Sequence, residues 1–454
     1  MTDTPGNAAT LADAVRQAAA AADSAAFNAS FKFNYDSVGV GAVPVPSKGP
    51  AILTIHDQGK AAVTVPDGYT AIRNAVDTQT VGVTGITPAF YEGDSAGQSL
   101  LSTGVAGGVS ALTGGANTVI ANSAGPTLIV TGLADANAAT YALDTSAQAG
   151  GNRIALGVGA VTVAAGLGAN SISLGVGSAL VASEGADTIT GGIGVGTIMA
   201  SGTGVVALGG RGIMNFINGG GLATVVGGAG FVTVNGGSGT MQVFGGAGTV
   251  VAYGGSAGNN LMTAGNGAMT MVGGGGGDQL YAGGYTGNML VAGGGAELLS
   301  AAASGGNNML YGGSGADTLM GGGGNDTMVA GSGATTLFGS DGTGMTNVYT
   351  GAGDAMFVGG AGSEFIQGFG SGTTTTVFDG KGAAEFGITN GAAGGTLTVH
   401  GFKVGADTFH LGGYGAASPL AAATTAGGST SFTLSDNTHV TLVNVTGLTA
   451  ASFV

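Results

Sequence analysis

The sequence predicts an all-β fold: a parallel β-roll or β-solenoid of nonapeptide repeats, with a small N-terminal region before it and a C-terminal β module after it. Two observations lead there. Residues 312–329 read GGSGADTLM then GGGGNDTMV, two consecutive copies of GGxGxDxUx in which U is a large aliphatic residue. The eighth, inward place of that unit then recurs every nine residues at Ile189, Ile198, Ala207, Phe216, Val225, Val234, Val243, Ala252 and Leu261. Each unit has a loop half, where glycines permit tight turns, and a three-residue strand half whose middle side chain points inward. Glycine supplies 99 of 454 residues, yet its period is nine rather than three, which excludes collagen.

Three regions follow in chain order. Residues 1–104 form an N-terminal region whose Ala-rich part, 8–26, reads as a short helix capped by Thr10, with strand-like runs FNASFKFNY and AILTIHDQG behind it. Residues 105–380 form the glycine-rich solenoid: glycine pairs keep the nine-residue step at 209, 227, 236, 245 and 254 and resume after short insertions at 273, 312, 321 and 359. Upstream, Val119 with Leu128, and Ile154, Val163 and Ile172, keep the period while glycine pairs thin out. Residues 381–454 alternate apolar and polar side chains at 396–411 and 429–454, with a turn at Asp436 and Asn437. The two flanking regions would cap the open ends of the solenoid or join copies of it.

Charge narrows the function. The chain carries a net charge of −15, and between residues 74 and 380 only Arg153 and Arg211 are positive. Nucleic acid is therefore not an expected partner, because nothing would neutralise its phosphates. No run of 18 apolar residues occurs, so membrane insertion is not expected. The N-terminus has neither the basic start nor the apolar core of a cleaved signal peptide. His56, His400, His410 and His439 belong to no HExxH, GxSxG or phosphate-loop motif, and the chain is read as not an enzyme.

The nonapeptides, the GFxxGxDxF phrase at 401–409, the TLSDNTHVTLVNV hairpin and the ending LTAASFV together resemble the RTX family, over about three quarters of the chain. The resemblance implies calcium as the cofactor, export by the type I secretion machinery without a cleaved N-terminal signal, and an extracellular or cell-surface location. Calcium suits the repeat, since a hard cation takes six to eight oxygens and glycine-rich loops about 18 residues apart can supply carbonyls while Asp supplies charge. The candidate metal ligands are Asp278, Glu297, Asn308, Asp317 and Asp326 at the sixth place, with Asp187, Glu364, Asn117, Asn152 and Asn170 at the same place elsewhere. In the alternative, these residues only form Asx turns. Val206, Met214, Val232, Met241, Val250 and Met269 hold that place in other repeats and cannot ligate calcium, a departure from the family pattern.

A second stripe lies at the ninth, outward place: Met199, Leu208, Ile217, Val226, Asn235, Phe244, Tyr253, Met262, Val272, Tyr281 and their successors to Gln367 are nearly all apolar or aromatic. Either they pack as ladders along their own sheet or they recruit further copies of the chain. The expected function is thus a secreted, non-enzymatic structural protein that associates with itself as a filament, surface layer or biofilm matrix. The alternatives are a calcium-dependent adhesin or ice-binding solenoid, and a small secreted hydrolase.

Overall fold

The computed structural model describes residues 167–454 except 369–371, 392–393 and 415–418. Ahead of these it describes 33–37, 43–46, 51–55, 62–74, 80–83, 89–93, 99–103, 109–113, 118–122, 128–131, 140–144, 152–157 and 160–165. The helix expected at 8–26, and Asn117, lie outside the described residues. The chain divides into two compact units, 1–233 and 234–454.

The fold is an all-β parallel solenoid, as the nine-residue period requires. From Ala51 to Gly412 the described strands pair in parallel with the strand two positions on in the chain, so one coil consumes two repeats. In the first unit Ser171–Ser173 pairs with Thr188–Thr190, which pairs with Val205–Leu208 in turn. On the opposite side Ser178–Ser183 pairs with Val195–Ala200, which pairs with Ile213–Asn218. Successive side chains alternate between inside and outside, so the eighth-place residues Ile189, Ile198, Ala207 and Phe216 are all buried. The same stacking already joins Phe33–Ser37 to Ala51–Ile55 and Ala62–Val65 to Thr80–Val83, upstream of residue 105. Loops without glycine pairs therefore carry coils too.

In the second unit the inward row continues as Val243, Ala252, Met262, Met271, Leu280, Leu290 and Leu299, all essentially inaccessible. One expectation changes here. Leu261 is only half-buried and Met262 is the inward residue, because the loop between Ala252 and Met262 is one residue longer than the repeat; Val243 consequently pairs with Met262 across 19 positions. Met262 leaves the outward stripe, and Thr263 takes its place. The parallel ladder runs on through Thr374–Phe378 with Thr396–His400, and Ala384–Thr389 with Thr408–Gly412. His439–Val443 then adds in parallel to Thr396–His400 and turns back antiparallel on Ser429–Thr433. That hairpin turns at Asp436 and Asn437, with Asn437 at φ 66°. Phe386, Phe402, Phe409, Phe432 and Phe453 stack over this end, with ring centroids 5.2–5.8 Å apart along the series Phe386–Phe409–Phe453–Phe432.

Candidate calcium-binding loops

The sixth-place side chains point into the solenoid where each loop enters its strand, two residues before the inward apolar residue. Opposite sheets place them in separate columns. One column of the second unit is Asn260, Asp278, Glu297 and Asp317; the other is Asn288, Asn308 and Asp326, and all are at most 4% exposed. Asp317 and Asp326, nine apart, therefore lie in different columns, whereas Asp278, Glu297 and Asp317 share one and Asn308 and Asp326 share the other.

Every Asp in these columns is held the same way. Asp278 Oδ2 accepts the N–H of Gly274 (2.6 Å) and Oδ1 accepts the backbone and side-chain N–H groups of Asn260 (2.7 and 2.9 Å). Asp317 takes Gly313 N–H on Oδ2 (2.6 Å) and Glu297 N–H on Oδ1 (3.0 Å). Asp326 takes Gly322 N–H (2.6 Å) on one oxygen and both N–H groups of Asn308 (2.8 and 2.9 Å) on the other. One oxygen thus closes the loop four residues back and the other ties it to the previous coil. Asn308 continues the chain of contacts, its Oδ1 accepting from Asn288 N–H (3.2 Å) and Ser304 Oγ (3.2 Å).

The loops themselves stack backbone on backbone. A Cβ on Gly331 would stand 1.7 Å from the carbonyl oxygen of Gly313 one coil away, so only glycine fits and the carbonyls remain uncovered by side chains.

Glu297 behaves differently from the Asp residues. Its Oε1 accepts Gly295 N–H (2.9 Å), but its buried Oε2 has no hydrogen-bond partner. Burial, followed by the neighbouring carboxyl groups of Asp317 and Asp278, pushes its pKa up to about 7. An unpartnered carboxylate oxygen between two further carboxylates is what a bound cation would neutralise. The residues fit calcium: side-chain oxygen donors, three acidic side chains in one column and one acid with two asparagines in the other, and glycine carbonyls beside them. Among the described residues no three Asp, Glu or His side chains converge as a cage of their own, so backbone carbonyls must provide much of any coordination shell.

Elsewhere the sixth place varies. In the first unit Asn152, Asn170 and Asp187 form a short column of the same kind, with Asp187 Oδ1 accepting Asn170 N–H (2.8 Å) and Oδ2 accepting Ser183 Oγ–H (2.6 Å). Val205, not Val206, then holds the inward place, since a strand residue two before the inward Ala207 must face inside; Val206 faces outward. Counting nine from glycine pairs also missed Asn260 and Asn288, which appear only when one counts back two residues from Met262 and Leu290. Asp407 was missed as a repeat residue. Its Oδ1 accepts Ala384 N–H (2.9 Å) and its Oδ2 accepts Lys403 N–H (2.5 Å), the same pair of contacts the other Asp residues make.

A parallel solenoid whose loops turn on glycine and bury carboxylates at several of their corners has the makings of a calcium-binding repeat fold. Residues 179–198, 217–251, 254–285 and 303–343 match the RTX calcium-binding nonapeptide repeat, so the chain carries RTX repeats of the calcium-binding kind. No curated protein matches it.

Proposed function

We propose that the protein is a secreted, non-enzymatic structural protein whose folded copies associate into an extracellular filament, surface layer or biofilm matrix. RTX repeats suggest a secreted protein and export by the type I route, and among the described residues no helix is long and apolar enough to cross a membrane. The reading of folding that goes with export is electrostatic. Where calcium is scarce the column carboxylates repel one another and the glycine-rich chain keeps its entropy; where calcium is plentiful, ion binding to the Asp278–Asp326 loops stabilises the coils by mass action.

The observation that carries self-association is the outward face of the first unit. Val195 lies beside Ile213 and Met199 beside Ile217 on adjacent strands, and each is 42–44% exposed. Apolar side chains ranked along a parallel sheet suit burial against another sheet of the same kind. An ice-binding or adhesive surface would instead want a regular polar row. The outward row Thr162, Leu180, Thr197 and Asn215 on the same sheet is interrupted by leucine and asparagine. Electron microscopy of the purified chain with and without calcium tests the proposal: ordered assemblies in calcium are expected, and uniform monomers in both conditions would refute it.

A further inference from the structure

One loop places a positive charge where the fold draws cations. At the second place of the repeat, where the loops ending in Asp278, Asp317 and Asp326 carry Gly274, Gly313 and Gly322, the loop ending in Asp407 carries Lys403. The Lys403 N–H donates to Asp407 as those glycines do to their own Asp, so the loop keeps its shape. Its side chain turns back onto the previous loop of the same column. There the ammonium donates to Asp379 Oδ2 and to the Gly380 carbonyl (3.0 Å), and it stands 3.6 Å from Asp407 Oδ1. Asp379 occupies the first place of that previous loop, normally glycine, and Gly380 the second.

These three contacts are two carboxylates and one glycine carbonyl drawn from successive loops, the donor set that a hard cation takes. Both carboxylate side chains are wholly buried, whereas the Lys403 side chain is about one-third exposed. Two buried carboxylates that share one neighbour repel each other unless a positive charge stands between them. The site also has unmet demand for one: Glu364 Oε2 and Asp379 Oδ1 are buried there without a hydrogen-bond partner.

We infer that Lys403 is a tethered cation standing in for a calcium ion, so that the coil formed by the loops of Asp379 and Asp407 closes without calcium. Without the lysine, the carboxylates of Asp379 and Asp407 and the Gly380 carbonyl are left for a divalent ion, with other backbone carbonyls to complete its shell. The second unit would then possess, at its C-terminal end, a carboxylate-bearing corner that closes without the ion for which the other Asp-bearing loops wait.

The inference rests on calcium binding by the repeats, and its test separates the two. Full-length wild type, Lys403→Met and the double variant Asp379→Asn with Lys403→Met are compared by equilibrium dialysis against calcium and by hydrogen exchange of the amides of Thr408–Gly412. Lys403→Met should bind one more calcium ion per chain than wild type. Its 408–412 amides should lose protection without calcium and regain it with calcium, while wild type stays protected in both conditions. The double variant, relieved of the excess anion, should keep the wild-type count and its protection. An unchanged calcium count in Lys403→Met, or lost protection that calcium does not restore, would overturn the inference. The wild-type count by itself judges the repeats: wild type binding no calcium would overturn their reading, whatever the variants do.

Discussion

At the scale of the residue, Glu297 couples the columns to pH. Its carboxyl titrates near 7 in the fold against an ordinary value of about 4.5, so the fold holds that proton more tightly than the unfolded chain does. The stability this carries is complete below about pH 4.5 and is lost as pH rises through about 7, and Glu364 acts in the same sense. Calcium-free protein should therefore melt at a higher temperature at pH 5 than at pH 8. Calcium should compete with the same protons, so saturating calcium should flatten the slope; a calcium-free melting temperature that rises with pH would contradict the assignment. Removing the ligands has a different effect. Asp326→Ala strands the Gly322 and Asn308 donors, at about 1–3 kcal/mol for a buried donor left unpaired. Paired with Asp317→Ala, it should raise the calcium concentration at the folding midpoint read by circular dichroism, and an unchanged midpoint would argue that these residues only shape turns. Asp278, Asp317 and Asp326 were legible in the sequence because glycine pairs precede them. Asn260 and Asn288 were not, because insertions in the loops displace them from a strict count of nine, and only the buried Met262 and Leu290 restore the register.

At the scale of the element, glycine divides into two kinds. Gly331, at the second place of its repeat, faces the Gly313 carbonyl at a distance no Cβ could share, whereas an added Cβ on Gly294, at the third place, meets nothing within 4 Å. Gly331→Ala should thus destabilise by about 1–3 kcal/mol through overpacking, and Gly294→Ala should stay within about 0.5 kcal/mol, as measured by urea denaturation in saturating calcium. Equal effects would show that loop stacking is not what selects glycine. The same distinction explains which coils the sequence revealed. Repeats with glycine at both close-approach places announced themselves. The strands at 33–103 read as a separate N-terminal region, because no glycine pairs precede them and only short alternating runs such as AILTI mark them. The loop at 401–407 was read as part of an export module, since Phe402 and Lys403 stand where its glycine pair would be; its Asp and the buried Phe409 nevertheless keep the sixth and eighth places.

At the scale of the whole molecule, cohesion comes from two sources that the sequence keeps apart. The Asp-bearing columns lie mainly in the second unit, while Val205, Met214 and Ala223 fill the inward places of the later coils in the first, where no charge needs an ion. Those first-unit coils depend on apolar stacking and backbone ladders, and they are also the ones that show Val195, Met199, Ile213 and Ile217 to solvent. Calcium should accordingly govern the folding of the second unit more than the association of the first. Met199→Ser with Ile217→Ser removes two neighbouring outward side chains and no inward one, so the far-ultraviolet circular dichroism and the calcium titration should not change. Association should weaken at least tenfold, because covering even half of each aliphatic side chain is worth about 1 kcal/mol and each 1.4 kcal/mol is a factor of ten. Sedimentation velocity in saturating calcium would read this directly. Should the double variant assemble at the same concentration as the parent, the outward apolar rows would be ladders within their own sheet, and the contact between copies would have to be sought on another face.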